Sequence, residues 1–131
     1  MSQDMSQNPL ESILSLNSEE RYDYFLSKVG EEKEIWILVN EDNQFLKIYA
    51  EDEKFEYLPV WPEPNFAIAY SKDTKELTPK SISLPELFKK WIPGLKKDKM
   101  EIGVFPGLDA DVWVTTPLEL QTDLQDVLSA F

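Results

Sequence analysis

Apolar residues recur at helical spacing near both ends of the chain. Within residues 18–29 the apolar positions follow the i, i+3, i+4, i+7 rule, which predicts an amphipathic helix that ends at Gly30. From Pro117 onward the same spacing predicts a second amphipathic helix, and each helix needs a core to cover its apolar face. The inward residues are expected to be Tyr22, Phe25, Leu26 and Val29 in the first helix and Leu120, Leu124, Val127, Leu128 and Phe131 in the second.

Between these helices the pattern changes to that of strands. EIWILVN, residues 34–40, is a continuous apolar run, which predicts a central strand covered on both faces. QFLKIYA and KFEYLPV follow across the turn-like stretches EDN and EDE, and such short connections favour an antiparallel meander. MEIGVF and VWVTT predict a fourth and a fifth strand before the last helix.

Three helix starts share a capping side chain followed three residues later by Glu, with Pro in the first turn. They are NPLE from Asn8, SLPE from Ser83 and TPLE from Thr116. A fourth start is indicated near Asn17, where two glutamates suit the positive end of a helix dipole. These signals predict a short helix over residues 10–16 and locate the starts of the longer helices.

Residues 58–71, LPVWPEPNFAIAYS, combine three prolines with a tryptophan and two other aromatic residues. Pro59 has no N–H to donate, so the third strand is expected to end there or to lie at an edge. Asn65 is expected to cap a short helix over residues 66–71. Apolar residues cover nearly the whole circumference of that helix, which implies burial.

A helix is also predicted over residues 84–92, with Leu87, Phe88 and Trp91 on one face. Pro93 and Gly94 are expected to end it. The lysines in and after this helix are the only concentration of positive charge in the chain. A solvated helix face is the simplest explanation for them, and a patch for phosphate or an acidic partner is the alternative. They are Lys89, Lys90, Lys96, Lys97 and Lys99.

A chain of 131 residues is about one domain, and roughly two thirds of its unfolded surface can be buried. We predict an α+β fold with an antiparallel sheet of about five strands packed against three or four helices. The single domain is expected over residues 10–131, after a flexible tail over residues 1–9. The N-terminus lacks the features of a signal peptide, and no apolar run approaches the roughly 18 residues that span a bilayer, so a cytoplasmic location is expected.

Histidine and cysteine are both absent. These residues supply most neutral-pH acids and bases, covalent nucleophiles and transition-metal ligands, so we predict no catalytic residue, no cofactor and no metal site. The chain has 13 Lys and Arg against 25 Asp and Glu, a net charge of −12. This charge opposes binding to nucleic acid and to anionic membranes. Its simplest explanation is that it keeps the protein soluble, and the alternative is that it attracts a basic protein partner.

Three sequence segments resemble a bacterial family of domains of unknown function numbered 2750. They are LPVWPEPNFAIAY, ISLPELFKKWIPGL and IGVFPGLDADVWVTTPLEL. Residues 59–62, 91–94 and 104–106 carry the resemblance, which covers about residues 21–128. It implies the fold and a bacterial source but no activity, cofactor or catalytic residue. The same order of elements also resembles the N-terminal domain of SseB-like proteins.

Two groups of residues are candidates for a site. Tryptophans and prolines from three segments are expected at one end of the sheet, where they form either a groove for a peptide or a small core beneath the loops. These residues are Trp61, Pro62, Pro64, Trp91, Pro93 and Trp113. Asp109 and Asp111 faintly resemble a ligand pair for a hard cation, but a turn between strands explains them as well.

We therefore predict a small protein-interaction or regulatory module whose acidic surface and Trp/Pro corner contact another protein. An immunity-type inhibitor of a basic toxin is the alternative, because small size and acidity suit that role. A small enzyme that relies on carboxylates is a third possibility.

Overall fold

The structure of the protein is a computed structural model, and it describes residues 12–13, 15–51, 53–72, 76–106 and 112–130. Several sequence predictions lie outside these ranges. They are the tail over residues 1–9, the helix start at Asn8, most of the helix over residues 10–16, the inward position of Phe131 and the aspartates Asp109 and Asp111.

The described residues form six strands and four helices in an α+β arrangement, as predicted. The strands are β1 (Glu34–Val39), β2 (Ile48–Ala50), β3 (Phe55–Val60), β4 (Thr78–Ser83), β5 (Glu101–Val104) and β6 (Trp113–Thr115). The helices are α1 (Ser18–Glu32), α2 (Pro64–Tyr70), a continuous helical segment over residues 84–97 and α5 (Pro117–Leu128). The segment over residues 84–97, called the 84–97 helix below, comprises α3 (Leu84–Glu86), a π-helical part (Leu87–Trp91) and α4 (Ile92–Lys97).

The strands form two sheets. In one sheet β1 pairs with β4 in antiparallel orientation, and the other sheet has the order β2-β3-β5-β6. The β2–β3 and β5–β6 pairs are antiparallel, as predicted, but β3 and β5 run parallel. This corrects the prediction of a wholly antiparallel sheet. The connection from β3 to β5 passes through α2, β4 and the 84–97 helix, and such a long crossover brings the next strand back in the same direction.

The strand β4 was not predicted from the sequence. Its residues TPKSIS are mostly polar and include Pro79, so they lack the usual strand signal. In the described sheet β4 pairs only with β1, so it is an edge strand, where a proline is tolerated. The other edge of β1 makes isolated bridges to Trp61 and Phe45, which join the two sheets. The predicted meander is therefore correct for β2 and β3, whereas between β1 and the segment that follows it the pairing is the single antiparallel Val39–Phe45 bridge.

The predicted capping chemistry is present at three helix starts. Asn17 Oδ1 accepts from the Glu20 backbone N–H at 2.8 Å, and the Glu20 side chain accepts from the Asn17 backbone N–H at 3.1 Å. Ser83 and Thr116 cap their helices in the same way, through Oγ and Oγ1. Local side-chain chemistry alone fixes these positions, which is why they could be read from the sequence.

The predicted end of α1 and the predicted start of α2 were wrong. Helix α1 continues past Gly30, which is buried, and ends at Lys33, whose φ of 65° places it in the left-handed region. The N-cap of helix α2 is Glu63, two residues before the predicted cap Asn65, and Pro64 lies in the first turn. The burial of α2 is also one-sided, because Ile68 is 53% exposed.

The 84–97 helix passes through Pro93 and Gly94, where the sequence predicted its end. Its middle part is π-helical, and the Ile92 backbone N–H donates to the Leu87 carbonyl, five residues back. Pro93 follows in the first turn of α4, where the register has just changed and its missing N–H does not interrupt the helix.

One core lies between the sheets and the helices. Helices α1 and α5 lie side by side, and α1 also contacts β1, β5 and β6. The largest fully buried apolar side chains are Trp61, Phe25, Phe105, Ile35, Ile37, Leu38, Leu58, Ile82, Leu87, Ile102 and Leu120. None of the helices in the described ranges combines the length and the apolar character that a membrane crossing requires.

Candidate functional site

The six residues of the predicted Trp/Pro corner differ in exposure. Trp61 and Pro62 are buried, and Trp61 has no exposed surface at all. Pro64 is half-buried in the first turn of α2, and Pro93 is exposed on the 84–97 helix. The tryptophans Trp91 and Trp113 are half-buried, so they keep some surface for a partner.

Each of the three tryptophans packs against a different aromatic ring. Trp61 lies 5.2 Å from Tyr70, measured between ring centroids, and Trp113 stacks on Tyr22 at 5.1 Å. Trp91 makes an edge-to-face contact with Phe45 at 5.3 Å. The backbone of Trp61 also exchanges two hydrogen bonds of 2.9 Å with Trp36 of β1, which places it in the core. Its burial leaves Trp61 no surface that could touch a partner.

An open cleft of about 150 Å³ lies beside the Trp91–Phe45 pair. It is lined by Phe45, Lys90, Trp91, Gly94, Leu95 and Asp98, and we call it the Phe45–Trp91 cleft. Phe45 is 36% exposed at one wall, while Leu95 is buried at the other. Two solvent-exposed charges, Lys90 and Asp98, lie at its edge. The cleft offers an apolar floor for a side chain and polar groups for its flanking backbone.

The wall that carries Phe45 is held by a hydrogen-bonded turn. Asn40 Oδ1 accepts from the backbone N–H groups of Asp42 and Gln44, each at 2.9 Å, and Asn40 Nδ2 donates to Gln44 Oε1 at 3.0 Å. Directly after Phe45, the Leu46 N–H donates to the Leu38 carbonyl at 2.8 Å. Phe45 therefore projects from a backbone fixed on both sides, which reduces the entropy lost on binding.

A second group of buried residues surrounds Arg21, which is only 1% exposed. Its Nε donates to the Phe105 carbonyl at 3.1 Å, and its guanidinium carbon lies 6.0 Å from the centre of the Phe105 ring. Phe105 has a φ of 52°, unusual for a bulky residue, and its N–H donates to the Val60 carbonyl at 2.7 Å. These contacts hold the end of β5 against α1 and the end of β3.

Most of the chain matches one known sequence family. The pattern of the family described as "Protein of unknown function (DUF2750)" matches residues 22–124, which is most of the chain. The chain belongs to the DUF2750 family. Comparison with curated proteins gave no match. The likeness to SseB-like N-terminal domains stays a prediction.

The three segments that suggested the DUF2750 family serve different purposes in the structure. Residues 59–62 and 104–106 are buried and adjacent, because Val60 pairs with Val104 in the parallel β3–β5 ladder. They therefore build the core. Residues 91–94 lie in the 84–97 helix and supply Trp91 and Gly94 to the cleft. Of the DUF2750 segments, this one reaches the described surface.

Two tyrosines on α1 form hydrogen bonds with carboxylates. Tyr22 donates to Asp123 of α5, and Tyr24 donates to Glu63 Oε2 at 2.7 Å. Burial, aided by the hydrogen bond to a carboxylate, raises the pKa of each tyrosine well above its ordinary value. Both hydroxyls therefore stay protonated at neutral pH and act as fixed donors that tie α1 to its neighbours.

The 84–97 helix also lines a second apolar hollow, of about 500 Å³. It is lined by Lys33, Leu84, Pro85, Phe88, Lys89 and Leu128. Within the described residues, no group of three or more Asp or Glu side chains could hold a metal ion.

Phe45 was predicted to lie in a strand and was not among the predicted site residues. Residues 45–50 alternate between exposed and half-buried positions, so Phe45 and Tyr49 face outward while Leu46 and Ile48 face inward. The same alternation can be read in FLKIYA, because two aromatic rings share the face of a lysine. That signal would have marked Phe45 as an exposed ring.

Proposed function

We propose that this protein is a protein-interaction module that binds its partner through the Phe45–Trp91 cleft. The observation that carries the proposal is the exposed Phe45 ring, packed edge-to-face on a half-buried tryptophan above an apolar floor. Aromatic rings at the centre of a small apolar depression are typical of residues that dominate binding energy, because they bury much area and lose little entropy.

The size of the cleft supports the binding of one side chain rather than of a whole small molecule. A cavity of about 150 Å³ holds a group of about the size of benzene, whereas sites for cofactors and drug-sized ligands are usually about 300–1,000 Å³. One aromatic or large aliphatic side chain from a partner would fill it. The rest of the interface would then lie on the flat surface around it.

The same geometry gives less support to a catalytic role. Among the described residues that line the cleft, the one carboxylate is Asp98 and the one amine is Lys90. Both are solvent-exposed, whereas general acid–base catalysis is favoured where burial and close neighbours tune a group. A carboxylate-based enzyme is therefore the weaker proposal.

Affinity capture tests the proposal. The protein is immobilised and used to bind proteins from an extract of the cells that produce it, in parallel with Phe45→Ala and with Ile68→Ala as a control. Ile68 is 53% exposed on α2 and does not line the cleft, so its loss removes a comparable exposed apolar side chain. We expect one protein to be retained by the wild type and by Ile68→Ala and to be lost with Phe45→Ala. Equal retention by all three would contradict the role of the cleft.

The alternative proposal is an immunity-type inhibitor of a basic toxin. It is favoured by the surface of α1 and α5, which lie side by side and carry eight carboxylates. These are Glu19, Glu20, Asp23, Glu31, Glu32, Glu119, Asp123 and Asp126. Charge reversal at exposed Glu19 and Asp126 would abolish capture if this face binds the partner, and would leave it intact if the cleft does.

A further inference from the structure

The helix that lines one side of the Phe45–Trp91 cleft has a net charge of the opposite sign to the rest of the protein, although the cleft lining itself holds one lysine, Lys90, and one carboxylate, Asp98. Residues 84–99 contain five lysines against Glu86 and Asp98, a local net charge of +3. Because the whole chain has a net charge of −12, the remaining residues carry −15. The helix that builds the cleft is therefore a positive region on a strongly negative protein.

The lysines of residues 84–99 are available to a partner. All five are exposed, and within the described ranges none of them lies in an ion pair. They are Lys89, Lys90, Lys96, Lys97 and Lys99. Lys90 lines the cleft itself, next to Trp91. Some of this charge offsets the negative end of the helix dipole, but Lys89 and Lys90 lie nearer the middle of the helix, where that explanation does not apply.

We propose that the cleft binds an acidic segment of its partner protein, which inserts one aromatic or large aliphatic side chain between Phe45 and Leu95. This inference rests on the proposed function and specifies the chemistry of the partner. The apolar floor selects the inserted side chain, and Lys90 beside it, with the other lysines of residues 84–99, favours flanking carboxylates. A basic segment would be repelled at this surface although the protein as a whole attracts it.

Peptide titration tests the inference without knowledge of the natural partner. The probe is a synthetic seven-residue peptide with phenylalanine at the centre and three Asp or Glu residues on each side. One control peptide has alanine at the centre, and another has lysine in place of every acidic residue. Backbone amide shifts of the ¹⁵N-labelled full chain report where each peptide binds and how tightly.

We expect the acidic phenylalanine peptide to shift the amides of Phe45, Trp91 and Gly94. Phe45→Ala should weaken its binding at least about fivefold, in line with the loss of a central aromatic contact. Lys90→Glu should weaken it about threefold or more and reduce its dependence on salt. Ile68→Ala and Lys80→Glu change exposed positions outside the cleft, so both should bind the peptide as the wild type does.

Several results would overturn the inference. Equal binding of the alanine-centred peptide would show that charge alone, without the inserted side chain, accounts for binding. Tighter binding of the lysine peptide would show that the surface prefers a basic segment to an acidic one. Two further occupants are tested in parallel, a single-stranded oligonucleotide and a second copy of the chain. If the oligonucleotide binds in a Phe45-dependent way, or if a Phe45-dependent dimer forms at rising protein concentration, that molecule and not an acidic segment is the occupant of the cleft.

The two proposals fail in different ways. If Phe45→Ala abolishes capture of a cellular protein while the acidic peptide does not bind, the interaction module stands and the acidic chemistry is wrong. If the wild type captures no specific protein and the peptide does not bind, both are wrong.

Discussion

Adding one methyl group at Gly103 should destabilise the protein. Gly103 lies in β5, between Pro59 of β3 and Val114 of β6. A Cβ atom there would lie 2.2 Å from Cδ1 and 2.3 Å from Cε1 of Tyr57, whereas ordinary carbon contacts begin at 3.4 Å. The ring would therefore have to move by more than 1 Å, and Tyr57 is only 8% exposed and packed in the core. Such overpacking typically costs about 1–3 kcal/mol of unfolding free energy.

Urea denaturation followed by tryptophan fluorescence measures this cost, and Gly94→Ala is its matched control. A Cβ at Gly94 meets nothing within 4 Å, and Gly94 lies in a helix, so the same substitution should stabilise there by about 0.5–1 kcal/mol. In a Tyr57→Ala background the clash is gone, so Gly103→Ala should cost much less. Equal costs in both backgrounds, or no cost at all, would refute the reasoning.

Three further predictions follow from hydrogen bonds in the structure. Burial and the hydrogen bond to Asp123 raise the pKa of Tyr22, so as the pH rises the unfolded chain loses the Tyr22 proton before the folded chain does. The contribution of Tyr22 to stability should therefore be constant below pH about 10 and be lost above it, and urea denaturation at alkaline pH should show a smaller decline for Tyr22→Phe than for the wild type. Thr116→Ala removes a helix cap and should lower the unfolding free energy by about 1 kcal/mol in urea melts, whereas Thr116→Ser should not. Arg21→Met leaves the Phe105 carbonyl without this donor and should cost about 1–3 kcal/mol by thermal denaturation, with Lys80→Met near neutral as the exposed comparison.

The three helix starts with capping side chains and the β2–β3 hairpin were predicted correctly because they depend on residues close together in sequence. The Asn17 cap needs only Glu20, and the Thr116 cap needs only Glu119. The turn between β2 and β3 likewise joins neighbouring strands across a few polar residues. Such interactions are complete within one turn, so the sequence alone specifies them.

The parallel β3–β5 pair and the strand β4 could not be predicted because they depend on distant partners. Leu58 pairs with Ile102, and no local pattern announces that contact. The residues of β4 become a strand because the apolar β1 offers an edge on which they pair, in spite of Pro79. The end of α1 could not be predicted from the local pattern either. Glycine is the usual residue in a left-handed helix cap, but the cap is Lys33 and not Gly30.

The candidate site could be predicted only in part. Trp91 and Pro93 were selected as aromatic and proline residues at a helix end, and Trp91 does line a cleft. The same rule selected Trp61, which is buried because its backbone bonds to Trp36 of β1. Residue type does not distinguish these cases, since a large ring suits both a core and a surface site.

Site-specific photocrosslinking at position 45 tests the central claim most directly. A photoreactive benzoyl-phenylalanine replaces Phe45 in one version of the protein and Ile68 in another, and both are irradiated in the cells that produce the protein. The account predicts one dominant adduct with a single partner protein from position 45, with the crosslink on an acidic segment, and none from position 68. The same adducts from both positions, or none from position 45, would contradict it.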